Sequence, residues 1–162
     1  METIISNSDG THTNERTGKI VLPQPSVHHI YDAKADLWID TKTLASVKAS
    51  TWERIKQART EAECSDFICN GGVYQANKEN ISCAAQLALQ AQTAGKPYSI
   101  DWTLSDNTVV TLDAAAMIAV GAALAEHLSV AFAIARDLRE KIAATVSIEQ
   151  ADAIQWPASE VA

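Results

Sequence analysis

Cysteine is scarce in this chain of 162 residues, which has only Cys64, Cys69 and Cys83. An odd number at irregular spacing excludes a disulfide framework. None of the three lies close enough in sequence to another Cys, or to His28, His29 or His127, to read as structural zinc. The thiols are expected to stay reduced and to pack as small buried hydrophobes. Basic residues are short as well, with 13 Lys and Arg against 20 Asp and Glu and a net charge of −7. Such a chain repels phosphate backbones and anionic lipid, so neither nucleic acid nor a membrane surface is an expected partner. The opening METIISNSDGTHTNERTG has neither a basic start nor an apolar stretch, so it is not read as a signal peptide.

Catalytic signatures are missing too. There is no serine elbow and no dinucleotide fingerprint. Asn70-Gly71-Gly72 could cradle a phosphate only if a helix followed. The β-prone Val73-Tyr74 follows instead, so the triplet is predicted to be a hairpin turn. His28 and His29 are adjacent, and on a strand they would face opposite sides, which is poor geometry for sharing a metal. Glu126-His127 reads as the flank of an apolar helix face. No catalytic, cofactor-binding or metal-ligating residue is therefore assigned, no cofactor is expected, and the chain is expected not to be an enzyme.

A long apolar run, by contrast, is present. From Ala114 to Ala135 only Glu126, His127 and Ser129 are polar, and the run is close to the ~20 residues of a spanning helix. Glu126 and His127 fall within it, where a charge costs about 2.5–3.5 kcal/mol on insertion. Alanine is also only weakly apolar, so no membrane insertion is expected. Met117, Gly121, Leu124, Leu128, Ala131, Ala135, Leu138 and Ile142 step alternately by four and three, which is a heptad seam. Val120, Phe132 and Ile134 broaden it. A helix carrying this seam would be about 45 Å long, so the seam could pack on other helices of the chain or on a partner chain.

The remaining pattern predicts an α+β fold: a predominantly helical domain with two or three small β-hairpins, one long C-terminal helix and an extended N-terminal arm. Residues 1–26 are too polar and turn-rich to fold alone and form the arm. Residues 27–143 form the domain. A hairpin is expected over 27–40, a helix over 41–64 capped by Asp40 or Thr41, and a hairpin over 66–75. A helix follows over 78–94, whose Ala84, Ala85 and Ala88 suggest close approach to another helix and whose Leu87 and Leu89 widen its apolar stripe. Tyr98, Ile100, Trp102 and Leu104 alternate with polar residues, giving a hairpin over 98–112 with one aromatic face. Asp113 caps the long helix over 113–143. The tail, 144–162, holds a short helix opened by a Ser147/Gln150 capping box. Candidate interaction residues are Trp38, Tyr98, Trp102, Leu124, Leu128, Leu138 and Trp156, large apolar groups with surface to cover.

Several phrases together resemble a known module: WERIKQARTEAE, the F…NGG hairpin, AAQLALQAQTAGKPYSIDWTLSDNTVVTL and MIAVGAALAEHL…ARDLREKI. They are similar to a domain-of-unknown-function family found at the C-terminus of tailed-bacteriophage tail-fibre and tail-fibre-assembly proteins. PSVHHIYDAKADLWIDTKTLASVK looks like that family's entry segment, so the resemblance covers roughly residues 25–143. It implies a virion structural component of the baseplate, tail tip or fibre joint, made in the bacterial host cytoplasm. The alternative it implies is a tail-fibre assembly chaperone absent from the mature particle. Implied partners are other phage tail or fibre proteins, and a homo-oligomer is expected from the cyclic symmetry of tails. The resemblance carries over no catalytic residue.

Overall fold

A computed structural model of the chain describes residues 4–9, 11–32 and 34–158. The chain divides into two compact units, residues 1–47 and 48–162.

The first unit is made of short antiparallel strands. β1 (Ile4–Ser6), β2 (His12–Asn14) and β3 (Ile20–Val21) form a meander in that order. β4 (His29–Asp32) and β5 (Leu37–Asp40) pair as a hairpin with Ile30 opposite Ile39 and Tyr31 opposite Trp38. Residues 4–21 thus hold a sheet where an extended arm was expected, and the reason is a buried amide. Asn14 is 1% exposed. Its Nδ2 donates to the Tyr31 hydroxyl at 3.1 Å, and its Oδ1 accepts from the Arg16 backbone N–H at 2.9 Å. Tyr31 donates a short hydrogen bond to the Asp36 carboxylate, and Lys19 pairs with the same carboxylate at 3.1 Å. A polar sequence can fold here because its interior is polar and hydrogen-bonded.

α1 (Leu44–Cys64) starts before the boundary and runs on through it. Its cap is Thr43, three residues beyond Asp40: the Ser46 N–H donates to Thr43 Oγ1 at 3.1 Å, and the Thr43 N–H donates to Ser46 Oγ at 3.0 Å. Asp40 and Thr41 are engaged in the preceding turn, where Asp40 accepts from the Lys42 N–H and Thr41 Oγ1 donates to the His28 carbonyl. β6 (Phe67–Cys69) and β7 (Gly72–Tyr74) follow as a hairpin. Asn70 and Gly71 between them have φ of 50° and 80°, the left-handed conformation that a two-residue hairpin turn requires. α2 (Lys78–Thr93) is capped by Asn77. β8 (Ser99–Thr103) and β9 (Val109–Asp113) form the last hairpin. Asp113 then caps α3 (Ala114–Ala144) by accepting from the Ala116 N–H at 2.8 Å. Ser147 opens the short α4 (Ile148–Asp152). The fold is α+β, with several small antiparallel sheets and one long helix over Ala114–Ala144.

The seam of α3 is divided between two partners in the same chain. Its first half, Met117, Val120 and Leu124, joins Ile81, Ala84 and Ala88 of α2 in one core, completed by hairpin residues such as Tyr74 and Leu112. Its second half, Ala135, Leu138 and Ile142, packs with Ile55 of α1 in another. Where α2 and α3 cross, a Cβ on Gly121 would stand 2.6 Å from the Ala85 Cβ. Glycine at this step of the heptad therefore sets how closely the helices approach.

Several side chains depart from the expected pattern. Phe132 is half exposed and lies under the Arg59 guanidinium, 5.0 Å from the ring centroid. Leu87 and Leu89 face outward because Ile81, Ala84 and Ala88 already fill the inner face of α2. Cys69 is buried on β6, but Cys64 and Cys83 are exposed, one at the end of α1 and the other on the outer side of α2. By length and composition alone α3 could cross a membrane.

Candidate functional site

The second unit is closed by polar fasteners that run along one side of α1. Lys48 Nζ donates to the Ala143 carbonyl at 2.8 Å, near the end of α3. Thr51, fully buried, donates to the Ala151 carbonyl at 3.2 Å. Arg54 donates to the Asp152 and Ile154 carbonyls at 2.9 and 2.8 Å. Residues 48, 51 and 54 are spaced to share a helix face. Each takes up a carbonyl that the end of a helix leaves unpaired. This brings Trp156 against Ile55, Leu138 and Ile142.

Beside this closure lies a groove of about 280 Å³, lined by Ala62, Val130, Ile134, Trp156 and Pro157, with His127 among them. The His127 ring stacks on Phe67 at 5.7 Å. Its Nε2 is buried and has no hydrogen-bond partner among the described residues. Ser65 also lines the groove, but its hydroxyl donates to the Ala62 carbonyl at 2.8 Å, and the rest of the lining is chiefly apolar.

A third cluster centres on Glu63, 7% exposed. Its carboxylate pairs with Arg59 at 2.9 Å and with Lys78 of α2. A buried carboxylate is costly unless compensated, and here a cation stands on each side. Arg59 also covers Phe132, so this cluster ties α1, α2 and α3 together. Among the described residues no group of three or more His, Cys, Asp or Glu could hold a metal ion.

The expected interaction residues fall into three environments. Leu124 and Leu138 are buried in the chain's own cores, and Leu128 and Trp156 are half-buried against them. Tyr98 packs on the first core and donates to the Ala84 carbonyl at 3.1 Å, with burial raising its pKa above the ordinary phenol value. Trp102, on β8, is half-buried against the same core and is among the residues that line a surface groove. Trp38 belongs to the other unit. Its ring meets those of Tyr31 and His12 at 5.4 and 5.7 Å, and its indole N–H donates to the Leu22 carbonyl at 3.0 Å.

The first unit also carries an exposed apolar face. Register places Ile30, Ile39 and Leu37 on one side of the β4–β5 hairpin, opposite Tyr31 and Trp38. These three are 63%, 43% and 48% exposed, and Ile20 and Leu22 are more exposed still. The register of the two strands sets these faces, and Tyr31 and Trp38 share the other one. The fasteners on α1 and the Glu63–Lys78 pair were not legible, because the carbonyls and Lys78 lie beyond α1.

The chain belongs to the family described as domain of unknown function (DUF4376), whose model matches residues 46–155. The match starts in the first turn of α1, so the β4–β5 hairpin read as the family's entry segment lies outside it. It extends past residue 143 to take in α4 and Ile154. No curated protein and no solved structure matches the chain.

Proposed function

We propose that this chain is a structural component of a tailed-bacteriophage tail, at the baseplate, tail tip or fibre joint, acting through protein–protein packing. The observation that carries the packing role is the exposed apolar face of Ile30, Leu37 and Ile39. It lies outside the family match, on a unit whose own interior is polar. Exposed contiguous apolar surface of this kind is characteristic of interaction sites. The phage context rests on the resemblance carried by SIDWTLSDNTVVTL and the helices around it. In this reading the 48–162 unit is the shared scaffold and the 1–47 unit meets other tail or fibre proteins, in a homo-oligomer. α3 is a core helix, since both halves of its seam are occupied within the chain. The protein is not an enzyme.

Mass spectrometry of purified particles, from a phage that encodes this chain, tests the proposal. Stoichiometric presence in washed virions is expected. Absence from particles, with loss of fibre solubility when the chain is not co-expressed, would instead make it an assembly chaperone.

A further inference from the structure

The asparagines of this chain differ in what their side chains and following N–H groups hold. Asn7 donates to the Thr11 and Thr13 hydroxyls. Asn14 is buried in its network. Asn77 caps α2 by accepting from the Asn80 N–H at 3.1 Å. Asn80 is followed by Ile81, whose N–H donates to the Asn77 carbonyl at 3.0 Å. Asn107 is followed by Thr108, whose N–H donates to the Asp106 carboxylate at 2.9 Å. Asn70 alone combines a free amide with a free N–H on the next residue. Its side chain and the Gly71 N–H make no hydrogen bond among the described residues. Both residues are exposed, and a Cβ on Gly71 would meet nothing within 4 Å.

These two groups can react with each other. The Gly71 nitrogen attacks the Asn70 side-chain carbonyl carbon and gives up its proton. The Cγ–Nδ2 bond breaks, ammonia leaves, and a cyclic imide remains. Water then opens the ring at either carbonyl, with no oxidation or reduction. Opening at Cγ gives aspartate. Opening at the main-chain carbonyl gives isoaspartate, whose main chain runs through Cβ and whose α-carboxylate is free. Glycine favours the attack because no side chain shields its nitrogen, and asparagine is among the thermolabile residues. The hairpin ladder restricts the rotation that ring closure needs, so the step proceeds through local openings of the turn.

We infer that Asn70 is a spontaneous deamidation site whose isoaspartate product loosens the β6–β7 hairpin. Aspartate tolerates the left-handed conformation much as asparagine does, and Asp-Gly is itself a favoured hairpin turn, so that product keeps the fold. Isoaspartate adds a methylene to the main chain of a turn that sets Cys69 opposite Gly72. The strands it disturbs bury Phe67, Cys69 and Tyr74 in the core shared with α2 and α3. The chemistry needs only water, so the inference stands or falls apart from the tail assignment.

The test keeps the full chain in mildly alkaline buffer at physiological temperature, beside a blocked peptide of residues 66–75. Both are mapped over time by mass spectrometry, and isoaspartate is told from aspartate by labelling with an isoaspartate-specific carboxyl methyltransferase. Asn70 is expected to convert before any other asparagine, more slowly than in the peptide. The isoaspartate fraction should melt at a lower temperature than fresh protein. Fresh Asn70→Asp should melt with the unmodified protein, which ties the loss to the added methylene and not to the new charge. Asn70→Gly, which keeps a favoured hairpin turn, should give no product at this position and hold its melting temperature on storage. Another asparagine converting first overturns the proposal, as does an Asn70 that stays intact through many half-lives of the peptide. Isoaspartate at this position with an undiminished melting temperature overturns it equally.

Discussion

Asn14 and Met117 are each among the most deeply buried side chains of their surroundings, 1% and 0% exposed, yet one is an amide and the other a thioether. The unit around Asn14 is held by a chain of hydrogen bonds through Tyr31, Asp36 and Lys19, while several of its isoleucines and leucines face outward. The unit around Met117 buries aliphatic side chains between helices and leaves its charges outside, apart from Glu63. A polar interior is directional and depends on every partner being present. An aliphatic interior is non-directional and scales with the area removed from water. The two should therefore fail in different ways, and the family match follows only the aliphatic one.

The largest effect should come from Met117→Ala, which removes a fully buried side chain at the α2–α3 contact. A loss of about 2–5 kcal/mol is expected, read as a lower helical melting temperature by circular dichroism. The Trp38 indole resonance should stay native below that transition; if it broadened together with the helical signal, the units would not be energetically separate.

Gly121→Ala introduces a methyl where 2.6 Å separates the new Cβ from Ala85. Overpacking of this kind costs about 1–3 kcal/mol. The double change with Ala85→Gly should recover much of it, which would separate a steric cause from any effect of helix propensity.

Asn14→Ala is the counterpart in the first unit. It leaves the backbone N–H groups of Arg16 and Thr17 without the side-chain acceptor and should cost about 1–3 kcal/mol. Here the Trp38 signal should change while the helical melt does not. An unchanged Trp38 environment would show that the network is not what orders these strands.

Acid should expose the same contrast. Hydrogen bonds from Tyr31 and Lys19 lower the Asp36 pKa below the ordinary 3.8. A group with a lowered folded pKa contributes stability above its unfolded value and loses it as pH falls through the folded one. Tyr31 is shifted the other way by burial and by Asp36, above the ordinary 10.0. Its contribution is complete below that value and fades as pH rises through the folded one. The contribution of this pair to the unit's stability should therefore be full between these limits and fall at both ends, read as an earlier thermal transition of the Trp38 signal. Tyr31→Phe should weaken the acid limb by removing the donor to Asp36.

The smallest effect belongs to Arg54→Ala. The Arg54 side chain is 47% exposed in its pairing with Asp152, and surface ion pairs contribute little, about 0–1 kcal/mol. Its hydrogen bonds to the Asp152 and Ile154 carbonyls should loosen the tail first, seen as faster hydrogen exchange over 148–156 with little change in melting temperature.

The local grammar of the chain was readable because its causes are local. Asp113 lies one residue before an apolar helix, Asn70-Gly71 sits between two β-prone runs, and Ser147 and Gln150 are spaced as a capping box. The side chains of Asp113 and Ser147 meet backbone three residues on, and Asn70 and Gly71 act through their own positive φ. The seam of α3 was readable as a periodicity, although its partner was not. Periodicity fixes which face is buried, whereas the covering element depends on distant parts of the chain, here α2 for one half and α1 for the other. Tertiary structure alone decided that Asn14 gathers groups 17 and 22 residues away. It also decided that Glu63 is buried between Arg59 and Lys78, and that Thr51 reaches a carbonyl 100 residues distant. Sequence determines what each residue can offer locally. Which offers are met is settled only when the whole chain has closed, because a buried polar group must find its partner wherever the fold brings one.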